Sequence, residues 1–202
     1  MDYFLHLSKD KKFKQVLEGQ SALNLVLCKD IPVYLCSSII SQQLSTKVAE
    51  VIKSRFFNLI DKRKSLSPQI IEMDIDRMRA IGLSNQKATY IKNLAAFHIA
   101  NKAAFSKLHE KSDDEIIDFL TQVKGIGRWT VEMLLIFGMQ REDVFPADDL
   151  VIQQAMTRLY GLDSSNKKEL KLQMHEIAGN WSPFRTYASI YLWKWNATQK
   201  LK

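Results

Sequence analysis

No stretch of the chain narrows its fold as sharply as residues 112–138, where two short apolar helical runs are joined by a tight turn. Ser112-Asp113-Asp114-Glu115 has the spacing of a capping box, in which a serine and a glutamate three residues on satisfy each other's backbone amides. It opens a run carrying Ile116, Ile117, Phe119 and Leu120; a second run, Thr130 to Phe137, ends at Gly138. Between them stands Val123-Lys124-Gly125-Ile126-Gly127-Arg128-Trp129-Thr130. Its glycines allow backbone angles and close approaches that a side chain forbids. They also leave consecutive amides pointing outward at a helix start, where the macrodipole favours an anion. Lys124 and Arg128 add positive charge there. A corner between two helices also uses glycine for packing alone, so the spacing leaves two readings open: a packed corner, and a seat for a nucleic-acid phosphate.

Helical patterning extends to the rest of the chain, with no alternating run bounded by hairpin turns, so the fold class expected is all-α. The periodicity predicts helices near residues 9–18, 32–42, 45–61, 68–73, 75–81, 85–101, 113–122, 128–138, 148–160, 167–179 and 183–196. Pro32, Pro68, Pro146 and Pro183 sit at or near proposed helix starts, where a missing N–H costs least. Internal repeats and low-complexity tracts are absent. With 202 residues and 46% hydrophobic content, the chain can bury a substantial core in one large or two small domains. A formal charge of +7 makes a polyanionic partner plausible without requiring one. No apolar run approaches bilayer length, and the start Met1-Asp2-Tyr3-Phe4-Leu5-His6 lacks the pattern of a signal peptide, so a soluble intracellular protein is expected. Cys28 and Cys36 are expected to be reduced thiols in or beside the core.

A second constellation follows the hairpin. Asp143-Val144-Phe145-Pro146-Ala147-Asp148-Asp149-Leu150 places two carboxylates just after a proline and at the mouth of the next helix. A carboxylate there is favoured by the helix dipole and held ionised by free amides, and either aspartate could be a plain helix cap. Trp193 sits in Tyr187, Ile190, Tyr191, Leu192, Trp193 and Trp195, which read equally as a buried helix face and as a pocket wall. His6, His98, His109 and His175 are scattered without ligand spacing, so no catalytic metal is expected.

Hairpin, Pro-containing loop and aspartate in this order resemble the helix-hairpin-helix superfamily of DNA base-excision glycosylases, and within it the alkylpurine branch typified by 3-methyladenine DNA glycosylase II. The resemblance is carried further by Ile39-Ile40-Ser41-Gln42-Gln43-Leu44-Ser45, by Gly82-Leu83-Ser84-Asn85-Gln86-Lys87-Ala88, and by Trp181-Ser182-Pro183-Phe184-Arg185-Thr186-Tyr187-Ala188 with Trp193. It implies two packed helical subdomains, residues 23–139 ending in the hairpin and residues 1–22 with 140–202, with an active-site cleft between them and without the N-terminal β domain of longer relatives. Asp149 aligns with the family's catalytic aspartate. Its neighbour Asp148 would support it or cap the helix. An anion beside the sugar is what an oxocarbenium-like transition state needs.

Position 129 separates mechanisms within the superfamily. Bifunctional members carry a lysine there, whose amine attacks the sugar; here it is Trp129, which cannot form a Schiff base, so a monofunctional hydrolase is implied. Endonuclease III relatives add four clustered cysteines for an iron–sulfur cluster, and this chain has no cysteine after Cys36. Trp129 and Trp193 would line the base pocket and stack on a cationic alkylpurine. Met133 and Leu150 stand where the matched enzymes have tyrosines, a departure bearing on substrate range. Leu44 would fill the gap left by the flipped base from the minor groove, with Gln43 bonding exposed base edges; Leu44 as a core residue is the plainer reading. The hairpin residues Lys124, Gly125, Ile126, Gly127, Arg128 and Thr130 would contact phosphates. The carbonyls of Thr121, Val123 and Gly125 would hold a structural Na⁺ or K⁺, and no other cofactor is expected.

The function implied is excision of 3-methyladenine and 7-methylguanine from double-stranded DNA by a monomer, in the cytoplasm of a bacterium or the nucleus of a eukaryote. Two alternatives stand beside it: a non-catalytic helix-hairpin-helix DNA-binding protein, which would not need Asp149 together with Trp129 and Trp193, and a glycosylase for oxidised or deaminated bases.

Overall fold

The computed structural model describes residues 2–25, 27–28 and 30–199, and no strand occurs among them. In chain order the helices are α1 (Tyr3–Leu7), α2 (Lys14–Leu17), α3 (Ile31–Ser41), α4 (Thr46–Asn58), α5 (Leu66–Glu72), α6 (Ile75–Ala80), α7 (Asn85–Ala100), α8 (Lys102–Ser106), α9 (Asp113–Leu120), α10 (Arg128–Met133), α11 (Leu150–Tyr160), α12 (Lys167–Gly179) and α13 (Arg185–Gln199). Their starts are set by side chains that take up otherwise unpaired amides. Asp30 receives Val33 N, Ser84 receives Lys87 N, and Asn166 receives Lys168 N and Glu169 N. Ser112 and Glu115 form the predicted capping box. No helix among the described residues is long and apolar enough to cross a membrane.

The chain divides into two compact units, Leu27–Leu134 and Met1–Val26 with Leu135–Lys202. In the first, α7 is the central strut, packing on α3, α5, α6 and α8. Its buried Ala88, Ile91, Leu94 and Ala95 recur at three- and four-residue steps, the stripe a helix must have to bury one side. Cys36 is fully buried here, and burial pushes its thiol above the ordinary range; Cys28 is half-buried, and neither forms a disulfide. In the second unit the core gathers on the fully buried Trp181, with Phe13, Phe145, Ile152, Met156, Met174 and Tyr191 among its members.

Three departures from the helix expectations have local causes. The segment expected as a helix over 9–18 is helical only at α2, because the Asp10 carboxylate accepts from Lys12 N and Phe13 N and turns the chain. Its second oxygen accepts from Tyr160 and Trp181, which anchors that turn to the core. Helices α1 and α8 are single turns of 5 residues, too short to show a period in the sequence. The run expected as one helix over 128–138 changes after Met133 to a π-helical turn over Leu134–Gly138, a local widening that is common near functional sites.

Candidate active site and nucleic-acid interface

Asp149 is the N-cap of α11. Its Oδ1 accepts from Val151 N and Ile152 N, each at 2.9 Å, and from the indole Nε1 of Trp193 at 3.0 Å. The residue is only 8% exposed, so three N–H donors and the positive end of a helix stand in for the water it has lost. The cap reading and the functional reading therefore fall on the same carboxylate. The cap is Asp149 and not Asp148, which forms an ion pair with Lys171 of α12 and has half of its side chain exposed.

The loop that carries Asp149 is bound along its length to α13. Arg185 grips Asp143 with two donors, Nε at 2.7 Å and a terminal nitrogen at 2.9 Å, and Ser182 adds a third at 2.8 Å. Burial pushes the Asp143 carboxyl up, but these bonds outweigh it and hold it below the usual carboxylate range. Thr186 donates to Arg141 O at 2.6 Å and accepts from Val144 N at 3.0 Å, while Tyr187 donates to Glu142 at 2.7 Å. Gln153 closes the loop from the other side through Ala147 O at 2.8 Å. Trp193, two turns further along α13, completes this line by reaching Asp149. Its ring also lies against Phe137 of the π-helical turn, centroids 5.7 Å apart and planes 29° apart. The sequence motif from Trp181 to Ala188 is thus the clamp of the acidic loop. Arg185, Thr186 and Phe137 went unread as site residues because their partners are distant in sequence.

The hairpin lies in the other unit. Gly125 has φ +106°, and a Cβ there would stand 2.3 Å from the Tyr90 ring, so glycine is required twice over. Gly127 differs: its φ is −97° and a Cβ would meet nothing within 4 Å. It caps α10 without a side-chain hydrogen bond, which leaves the first amides of that helix unclaimed by a cap. Ile126 and Thr130 are buried, so they can offer an outside anion only their backbone. Arg128 is bonded to the buried Glu132 through Nε at 3.0 Å, so part of its charge is already answered within the protein. Lys124 is exposed. Of the expected cation carbonyls, Val123 O accepts from Ile126 N at 3.0 Å and Gly125 O from Gln42 Nε2 at 3.1 Å; each carbonyl oxygen carries a second lone pair.

Trp129 is 46% exposed at the start of α10, one turn from the buried Met133. Leu150 is 68% exposed at the first position of α11. Leu44 stands on the surface, 36% exposed, rather than in the core, and follows Gln43, whose φ of 58° is left-handed. Two histidines are tied into the structure, His98 Nδ1 lying 2.7 Å from Ser67 Oγ and His6 Nε2 3.1 Å from Asn180 O.

Residues 36–179 match the family profile of the HhH-GPD superfamily base excision DNA repair protein. The chain belongs to that superfamily. Among similar curated proteins, DNA-3-methyladenine glycosylase 1 of Schizosaccharomyces pombe is 39% identical over 196 residues, covering 94% of this chain and 85% of the other. The putative DNA-3-methyladenine glycosylase YfjP of Bacillus subtilis is 32% identical, covering 94% and 67%. Among solved structures, the Schizosaccharomyces pombe 3-methyladenine DNA glycosylase in complex with abasic DNA superimposes with a TM-score of 0.79 at 36% identity, covering 96% of both chains. As a member of the HhH-GPD superfamily the chain has the all-α fold expected of it, and the motif from Ile39 to Ser45 lies within the matched region.

Proposed function

We propose that this chain is a monofunctional DNA glycosylase. It would hydrolyse the N-glycosidic bond of alkylated purines, 3-methyladenine and 7-methylguanine, in duplex DNA after flipping the nucleotide, and so begin base-excision repair. The observation that carries the reading is the buried Asp149 carboxylate, fixed by three N–H donors in a chain whose position 129 is tryptophan. The bond from C1′ to the base nitrogen breaks with its electron pair going to the base, which cancels the positive charge of an alkylated ring. Asp149 stabilises the cationic sugar left behind. Water adds to C1′ and releases a proton, so no amine nucleophile and no general acid are needed.

Trp129 and Trp193 present aromatic surface to a cationic base, Leu44 and Gln43 enter the minor groove, and Lys124 with the hairpin amides holds the backbone. Asp148 contributes through its ion pair with Lys171. A monovalent cation on the second lone pairs of the Thr121, Val123 and Gly125 carbonyls would stiffen the hairpin; duplex affinity should then be higher in potassium than in choline at equal ionic strength. The protein acts as a monomer.

The deciding experiment is incubation of the protein with methylated duplex DNA and chromatography of what is released. Free 3-methyladenine and 7-methylguanine should appear, the strand should stay intact until alkali is added, and borohydride should trap no covalent complex. Duplex binding without any base release would leave only the DNA-binding module, and a borohydride-stable adduct would exclude the monofunctional mechanism.

A further inference from the structure

Two motifs well separated in sequence, Ile39 to Ser45 and Gly82 to Ala88, meet in the structure through one side chain. Lys87 Nζ of α7 donates to Ile40 O at 2.8 Å and to Gln42 O at 2.6 Å. These carbonyls close the end of α3, where the helix dipole favours a cation. Partial burial lowers the lysine's pKa, as expected for an ammonium drawn in from water to serve as a structural donor. Beyond these carbonyls the chain passes through Gln43 in its left-handed conformation and presents Leu44 at the surface. Nearly one turn along α7 from Lys87, the Tyr90 ring lies against Gly125, and Gln42 Nε2 donates to Gly125 O. One face of α7 therefore supports the wedge loop with a lysine and the hairpin with a tyrosine, and Gln42 links the two directly.

We propose that Lys87 is a positioning residue that presets the Leu44 wedge and, through Gln42, couples it to the phosphate-binding hairpin. The inference rests on the reading of this chain as a base-flipping glycosylase. A left-handed glutamine is a sparsely populated state that must be held by its surroundings. Holding it before DNA arrives removes an ordering cost from insertion, which is the advantage of preorganisation. Lys87 would thus serve DNA without touching a phosphate.

The test compares Lys87→Met, which keeps the stem and removes the donors, with Lys87→Arg, which restores them. A duplex carrying 2-aminopurine beside a tetrahydrofuran abasic site reports wedge insertion by fluorescence, and single-turnover release of 7-methylguanine reports excision. Lys87→Met should lower both about tenfold, the loss expected for hydrogen bonds from a charged group, and Lys87→Arg should recover most of it. In a Leu44→Ala background Lys87→Met should cause no further loss. The slope of log affinity for undamaged duplex against log salt should be unchanged. A slope reduced by about 0.9 would make Lys87 a phosphate contact, and an undiminished loss in the Leu44→Ala background would make its role general; either overturns the proposal. If circular dichroism shows Lys87→Met unfolded, Gln42→Met, which cuts the link to Gly125, must show the same dependence on Leu44 or the coupling is refuted. If the unmodified protein releases no base at all, the catalytic reading fails by itself, and the fluorescence arm still decides the role of Lys87.

Discussion

The N-termini of α10 and α11 begin with the same electrostatics and are capped in opposite ways. At α11 the first amides are taken by the side chain of Asp149, so the helix spends its positive end on holding a carboxylate in place. At α10 the cap is Gly127, which has no side chain to offer the first amides. On the proposed reading, one helix end would store a negative charge for a cationic transition state and the other would receive the charge on a DNA backbone. The difference rests on one residue, aspartate against glycine at the N-cap. The tertiary structure reinforces it, since α13 delivers an indole donor to the first and Tyr90 forces a glycine beside the second.

The largest expected effect comes from removing the stored charge. Asp149→Asn keeps an oxygen to cap α11, so folding and duplex binding should persist, while single-turnover base release falls by at least about 10²–10³-fold. A rate near that of the unmodified protein would break the comparison at its first term. The hairpin should respond differently at its two glycines. Gly125→Ala drives a methyl into Tyr90 at a left-handed φ and should cost roughly 2 kcal/mol of stability by denaturant titration, together with duplex affinity. Gly127→Asp meets open space and supplies the missing cap. It should leave stability unchanged or raise it by about 0.5 kcal/mol, yet weaken binding to damaged and undamaged duplex alike. Opposite signs in stability and affinity would be the signature of an N-terminus kept open for a ligand; a parallel loss of both would mean that Gly127 serves packing. Trp193→Phe retains an aromatic ring and loses the donor to Asp149, so excision should fall about tenfold with undamaged-duplex affinity preserved. Equal loss of that affinity would make Trp193 part of the general DNA surface. Smallest of all, Asp148→Asn removes an exposed ion pair to Lys171 and should change stability by less than about 1 kcal/mol and activity by less than about twofold.

The local features of the candidate site are legible in the sequence. The capping box, the two hairpin glycines and the aspartate at a helix mouth are local signals, each resting on residues within a turn or two of one another. The exposure of Leu44 is not legible in this way, since it depends on what covers the residue, and a leucine before a helix start reads the same buried or exposed. Asp148 and Asp149 illustrate the limit: identical side chains at adjacent positions, of which only one meets the amides of α11 and the indole of Trp193.

By itself, then, the sequence determined most of the segments that coil, the capping box that opens α9, where a glycine hairpin interrupts the helices, and that position 129 offers an indole in place of an amine. Such features depend on neighbours along the chain, and backbone sterics and hydrogen bonding act at that range. Only the tertiary structure decided that Arg185 clamps Asp143, that Trp193 donates to Asp149, that Tyr90 fixes the need for glycine at 125, and that Lys87 ties the end of α3 to α7. Each of these joins residues far apart in the chain. Their meeting is set by how apolar helix faces pack around Trp181 and along α7, a three-dimensional arrangement that local periodicity does not encode.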